Sequence, residues 1–272
     1  MNKNRKLKDI IMYGLIYLSA FITFGVLIWI LVYIVSNGIG ALNFKFIFSD
    51  AKDGGILPMI ISTIYVVILS IVISTPIGIG AAIYLVEYAK PGKLVRLIRF
   101  ATESLAGIPS IIFGLFGMLF FVTTLKLRFS ILSGALTLSI MVLPTIVRTT
   151  EEALKSVPDI FREGSYGLGA SKLRTIVKIV LPSAVPGILS AVILSIGRIV
   201  GETAALMFTA GSVPRVPSSV MNSGRTLSVH LYLLVKEGIS FEGAFATATI
   251  LVVFVAILNW IAASIAKIFK RI

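Results

Sequence analysis

Six long apolar runs constrain the fold of this chain, because a helix needs roughly 17 to 25 residues to cross a bilayer. We predict six spanning helices, at about Ile11–Val35, Leu57–Tyr88, Phe100–Leu125, Ile131–Val147, Leu181–Ala210 and Gly243–Ala266. Only 14% of the 272 residues are charged, whereas soluble domains have about 25%. A soluble fold could not cover so much apolar surface, so the sequence predicts an all-α membrane protein.

Positive charges lie mostly on one side of these predicted helices. Seventeen Lys and Arg fall in the two termini and in the second and fourth connecting segments, and seven fall in the other segments. Cytoplasmic segments carry the excess of Lys and Arg, so we expect both termini in the cytoplasm, as six spans require. The net charge of +13 is thereby explained by membrane topology, and nucleic-acid binding is not expected.

The chain divides into two parts in this interpretation. Residues 1–56 form an N-terminal transmembrane helix and its outer loop, and residues 57–272 form the core transmembrane domain. The apolar run after the basic N-terminus has about 26 residues, too many for a cleaved signal peptide. We therefore expect it to stay in the protein as the first span.

Catalytic and metal chemistry have little support in the sequence. There is no cysteine, the single histidine is His230, and no G-x-x-x-x-G-K-[ST] phosphate-binding loop occurs. We expect no catalytic residue, metal or cofactor, and a structural role for His230. If transport uses ATP, another chain hydrolyses it.

The longest predicted cytoplasmic loop contains a short helix. Pro158 and Asp159 favour a helix start, and Gly167 and Gly169 favour its end. One face of this helix combines two large apolar residues with two very small ones: Phe161, Gly164, Ser165 and Leu168. Such a face can pack within its own subunit or receive a cytosolic partner, and the pattern alone leaves both alternatives open.

The spacing in this loop resembles a motif of ABC importer permeases: E-A-A, three residues, G, nine residues, I, one residue, L-P. Here it reads Glu163-Gly164-Ser165, Gly169, Ile179 and Leu181-Pro182, with Gly-Ser in place of Ala-Ala. In that family the helix is the coupling helix, which inserts into a cleft of the ATPase subunit. The resemblance implies a coupling helix at about 158–169 and docking through Phe161, Glu163, Gly164, Ser165, Leu168 and Gly169.

Three further stretches resemble the phosphate-specific permeases of ABC importers, and most of all their PstA-type subunits. They read "ESLAGIPSIIFGLFG", "LPTIVRTTEEALKSVP" and "GRIVGETAALMFTAG", and the likeness runs from about Leu57 to Phe269. It implies the type I ABC importer permease fold and phosphate as the solute. The implied partners are a second permease (PstC-type), two ATPase subunits (PstB-type) and an extracytoplasmic phosphate-binding protein (PstS-type). Another solute (phosphonate, molybdate or an amino acid) and a secondary transporter stay as alternatives.

Two charged residues lie inside the fifth predicted span. Neither apolar stretch beside Arg198 and Glu202 can cross a bilayer alone, so both charges are expected within the membrane. Four residues apart on one helix, they share a face and can pair. We interpret them as lining the path of the anion, with a planar donor fork on Arg198. A structural ion pair or a contact with the second permease is the alternative.

Three other features receive simpler interpretations. Glu103 is expected to form a surface pair with Arg99, four residues before it, and Arg148 to anchor the end of the fourth span. The outer segment 211–242 is interpreted as a solvated loop or as a receiving surface for the binding protein.

Overall fold

All regular secondary structure is helical in the part of the chain that the structure describes. The computed structural model describes the backbone of residues 3–269 and the side chains of residue 9 and residues 11–264. The α-helices are α1 (Lys3–Gly38), α2 (Phe44–Phe48), α3 (Leu57–Ile83), α4 (Lys93–Ala106), α5 (Ser110–Gly117), α6 (Ile131–Lys155), α7 (Asp159–Gly167), α8 (Lys172–Thr175), α9 (Leu181–Val200), α10 (Ala204–Thr209), α11 (Leu227–Lys236) and α12 (Phe241–Phe269). π-Helical turns extend α3 (Tyr84–Tyr88) and α5 (Met118–Thr124) and join α8 to α9 (Ile176–Val180), and 3₁₀ turns lie at Ile39–Ala41 and Ala51–Asp53.

The helices long and apolar enough to cross a bilayer are consistent with the six predicted spans. Among the described residues, five helices are long and apolar enough to cross a bilayer, and the bent pair α4–α5 makes the sixth when taken as one span. Helix α7 lies at one end of the bundle, which we call the α7 end. The start of α3, the start of α6 and α11 lie at the opposite end.

Helices α3, α6 and α9 form the centre of the bundle. Two serines join α3 to α6: Ser70 Oγ donates to the Ala135 carbonyl and Ser139 Oγ donates to the Ser70 carbonyl, both at 3.2 Å. A Cβ at Gly78 would collide with Ile146, so the two helices approach closely there. Close approach and satisfied hydroxyls hold helices together in lipid, where apolar burial gives little driving force.

Helix α1 lies at the edge of the bundle and packs on α12. Tyr33 meets Phe245 edge-to-face, with 5.7 Å between ring centroids, and Gly38 lies against the same turn of α12. Most of its other apolar side chains are exposed. A helix that is apolar all round suits a span surrounded by lipid.

The third predicted span, Phe100–Leu125, is not one continuous helix. Helix α4 begins earlier, at Lys93, and meets α5 at an angle of 104°. Pro109 lies at the bend; proline donates no backbone hydrogen bond and disfavours a helical conformation in the residue before it. The apolar run therefore bends where a straight span was expected.

The prediction of a surface pair between Glu103 and Arg99 is wrong. Arg99 Nη2 instead lies 2.6 Å from Glu151 Oε1 on α6, and Lys155 Nζ lies 2.6 Å from the same oxygen. Glu151 is buried where α4 crosses α6, so a shared carboxylate between two cations is favoured there over an exposed contact along α4.

Candidate functional site

Helix α7 forms where the sequence predicts a short helix between the fourth and fifth spans. Pro158 precedes its first residue with an extended ψ of 137°, and Asp159 lies in the first turn, where a carboxylate is favoured by the helix dipole. The chain turns after the helix at Gly169, whose φ of 81° is left-handed and suits glycine. The helix spans Asp159–Gly167, where the sequence predicts a helix at about 158–169.

Most of the predicted docking residues are exposed on α7. The side chains of Phe161 and Leu168 are 52% and 91% exposed, and Glu163 and Gly169 are also exposed. A Cβ at Gly164 would meet nothing within 4 Å. Because no contact within the chain requires a glycine there, the small side chain leaves room for something outside the chain.

Ser165 does not belong to that exposed face. It is 6% exposed, and its hydroxyl lies 2.8 Å from the Thr175 hydroxyl on α8. The helical spacing alone placed Ser165 with Phe161 and Leu168, but α8 folds back and covers this side of α7. Ser165 therefore joins α7 to α8.

Arg162 is a residue of α7 that the sequence did not single out. Its Nη2 and Nε lie 2.9 and 3.1 Å from Glu87 Oε1, at the end of α3. The same guanidinium donates to the carbonyls of Leu154 (2.9 Å), in the last turn of α6, and Val157 (2.7 Å), just after it. Arg162 and Glu87 are 75 residues apart in the chain. The sequence signal for this pair is that the two opposite charges each flank an apolar run on the same predicted side of the membrane.

The helix of the fifth predicted span, Leu181–Ala210, is interrupted in its last third. Helix α9 ends at Val200, residues 201–203 are not helical, and α10 begins at Ala204. The Glu202 carboxylate accepts a hydrogen bond from the Ala205 amide at 3.0 Å, which caps α10. The prediction of one continuous helix is therefore wrong at this point.

Contacts from α11 and α3 surround the break. Ser228 Oγ donates to the Glu202 carbonyl at 2.6 Å, so this carbonyl has a partner outside its own helix. The neighbouring Leu227 amide donates to Thr63 Oγ1 on α3 at 3.0 Å. Because Glu202 is buried and bonded through both its side chain and its carbonyl, the break is a structured feature of the fold.

Arg198 lies one turn before the break and is half-buried. Among the described residues, no carboxylate lies within 4.0 Å of its guanidinium. The pairing with Glu202 that the helical spacing allowed is not formed, since Glu202 lies outside the helix and its carboxylate caps α10. Arg198 thus keeps a charged planar donor available beside an interruption in a span.

A second polar group of side chains lies at the opposite end of the bundle. Arg225 Nε donates to the Ser212 carbonyl at 2.8 Å, and Arg225 Nη1 lies 3.5 Å from His230 Nδ1. Both residues line a cavity of about 650 Å³, with residues from 40–59 and 239–243. Burial and the neighbouring Arg225 charge lower the pKa of His230 to about 4, so the imidazole is neutral near pH 7.

The neutral state of His230 predicts a loss of stability in mild acid. Its pKa falls from 6.5 to about 4 on folding, so between these values the unfolded chain binds more protons. This histidine causes no loss in the free energy of unfolding above pH 6.5. The loss grows as the pH is lowered toward 4 and reaches about 3 kcal/mol in total. Thermal unfolding of the detergent-solubilised chain at pH 7.5 and 4.5 measures it. His230→Gln should reduce the difference, and an equal difference in this variant would refute the assignment.

The sequence matches the family described as "Binding-protein-dependent transport system inner membrane component" over residues 74–271. A probable ABC transporter permease of Bacillus subtilis is 36% identical over 252 residues, 86% of each chain. The phosphate transport system permease protein PstA of Pasteurella multocida is 36% identical over 261 residues, 94% of this chain and 93% of that one. A bacterial ABC transporter involved in alginate import has the same fold, with a TM-score of 0.67 over 97% of this chain and 98% of that one at 17% identity.

Proposed function

Since this chain belongs to the family of binding-protein-dependent transport system inner membrane components, we propose that it is the PstA-type permease subunit of an ATP-driven phosphate importer. Its fold is that of the type I ABC importer permeases, and it is a multi-pass protein of the inner membrane. As a permease it works with an ATPase and a substrate-binding protein and is not itself an enzyme. Membership of this family overturns the alternative of a secondary transporter.

The choice of phosphate rests on one observation, the identity of 32 to 36% with phosphate permeases along almost the whole chain. That identity covers the core and the broken fifth span together. The solved structures of similar fold, at 14 to 19% identity, support the fold and do not bear on the solute.

The path for phosphate passes Arg198 and the break at 201–203 in this proposal. An arginine fork suits a phosphate oxyanion because it offers parallel charge-assisted hydrogen bonds. Glu202, fixed by Ala205 and Ser228, adds a negative charge close to the path without occupying the guanidinium. A site of this kind binds the anion well enough to admit it and weakly enough to release it.

The partners occupy opposite ends of the bundle. The α7 end faces the cytoplasm, and its exposed residues Phe161, Glu163, Gly164, Leu168 and Gly169 receive a PstB-type ATPase. The charge distribution supports this orientation, which places both termini in the cytoplasm. A PstC-type permease completes the path, and a PstS-type binding protein delivers phosphate at the opposite end.

Radiolabelled uptake tests the solute. The chain is produced with its partner permease, ATPase and binding protein in cells that lack their own phosphate importers. We expect saturable phosphate uptake that disappears when this chain is omitted and persists in excess sulfate, molybdate or methylphosphonate. Uptake of one of the competitors, with none of phosphate, would refute the proposal.

A further inference from the structure

We propose that Arg162 and Glu87 form a clamp that makes α3 move with α7, so that α3 carries the motion of the ATPase to the broken span. The inference rests on the proposed function, because it assumes that an ATPase acts on α7. In it Arg162 and Glu87 are positioning residues, since neither touches phosphate or ATP.

The clamp joins three parts of the α7 end through one side chain. Arg162 binds Glu87 at the end of α3 and the carbonyls of Leu154 and Val157 where α6 ends. Its side chain is 13% exposed and that of Glu87 is 6% exposed. A guanidinium that donates four hydrogen bonds to these three acceptors has little freedom, and removing one charge of a buried pair leaves the other uncompensated.

Other contacts of α7 reach α8 and the π-helical turn Ile176–Val180 that follows it. Ser165 meets Thr175, and Lys172 Nζ lies 5.0 Å above the Tyr88 ring, an exposed cation–π contact next to Glu87. Helix α8 continues into α9, so these contacts link α7 mainly to α9. Among the described residues, the Arg162–Glu87 pair is the buried ion pair that joins α7 directly to the end of α3.

Helix α3 reaches from the clamp to the break in the fifth span. Near the start of α3, Thr63 Oγ1 accepts a hydrogen bond from the Leu227 amide. Ser228, the residue after Leu227, donates its hydroxyl to the Glu202 carbonyl. Helix α3 therefore contacts α7 at one end. At its other end it is linked, through Leu227 and Ser228 of α11, to the break at 201–203. A rigid element attached at both sites is a physical route for coupling between them.

Coupling in the reconstituted complex tests the clamp. Proteoliposomes containing the full complex report ATP hydrolysed per phosphate transported for the parent, Arg162→Gln, Glu87→Gln and Asp159→Asn. We expect Arg162→Gln to raise this ratio about tenfold and Glu87→Gln severalfold, as for typical allosteric couplings. Asp159→Asn is the matched control, because Asp159 also binds Arg162 but is 85% exposed, and the parent ratio is expected.

A charge reversal separates the pair from a general effect on folding. Glu87→Arg alone should uncouple the complex, and adding Arg162→Glu should recover part of the parent ratio. An assembled Arg162→Gln complex with the parent ratio, or a double reversal no better coupled than either single reversal, would overturn the clamp. If Arg162→Gln does not assemble, the double reversal decides.

A distance measurement separates the clamp from the choice of solute. The chain has no cysteine, so nitroxide labels can be placed at Leu168→Cys, directly after α7, and at Ile77→Cys on α3. We expect a narrow distance distribution in the parent chain and a broad one with Arg162→Gln. Unchanged widths would overturn the clamp, whereas a parent complex that imports no phosphate would refute the proposed function and leave this measurement intact.

Discussion

Replacing Gly164 with tryptophan is expected to stop ATP-driven phosphate uptake while leaving the chain folded. A Cβ at this position meets nothing within 4 Å, and Gly164 is exposed, so we expect the isolated subunit to tolerate the substitution. It would fill the space between Phe161 and Leu168, where we place the ATPase. Blocking the centre of an interface costs about 2 kcal/mol or more, or roughly a thirtyfold loss of affinity.

Co-purification of the ATPase with the permease measures this effect, together with phosphate-stimulated ATP hydrolysis. Gly164→Ala is the matched control, because it adds one methyl group and restores the alanine of the family motif. We expect this variant to bind the ATPase as the parent does. If Gly164→Trp keeps both binding and stimulated hydrolysis, α7 is not the docking helix.

Replacing Arg198 with glutamine is expected to reduce phosphate uptake about a hundredfold. The substitution keeps a polar but shorter side chain and removes the positive charge, and hydrogen bonds to a charged group contribute about 1.5 to 3 kcal/mol each. No carboxylate within 4.0 Å depends on this guanidinium among the described residues, so assembly should survive.

Uptake is measured at saturating and at limiting phosphate, with the amount of assembled complex as the reference. Arg198→Lys should lie between the parent and Arg198→Gln, because it keeps the charge without the planar fork. Arg215→Gln is the control, since Arg215 is an exposed arginine at the end of the bundle opposite α7. Normal uptake by Arg198→Gln, or equal losses in Arg198→Gln and Arg215→Gln, would refute a role in the path.

Several features of the site follow from neighbouring residues and were predictable. The start of α7 after Pro158 and the turn at Gly169 depend on backbone restrictions of single residues. The exposed positions Phe161 and Leu168 follow from helical periodicity. Periodicity failed for Ser165, because α8 covers that side of α7 and its hydroxyl meets Thr175.

The apolar segments, the position of the short helix between the fourth and fifth of them, and the charge asymmetry could all be read from the amino-acid sequence. These depend on run length, local capping and composition, which are properties of nearby residues. The bend at Pro109 is a local backbone effect that the run of apolar residues concealed, whereas the break at 201–203 and the ion pair of Arg162 with Glu87 emerge only in the folded chain. The break and the pair depend on partners far along the chain, such as Ser228 and Glu87, and only folding brings those partners together.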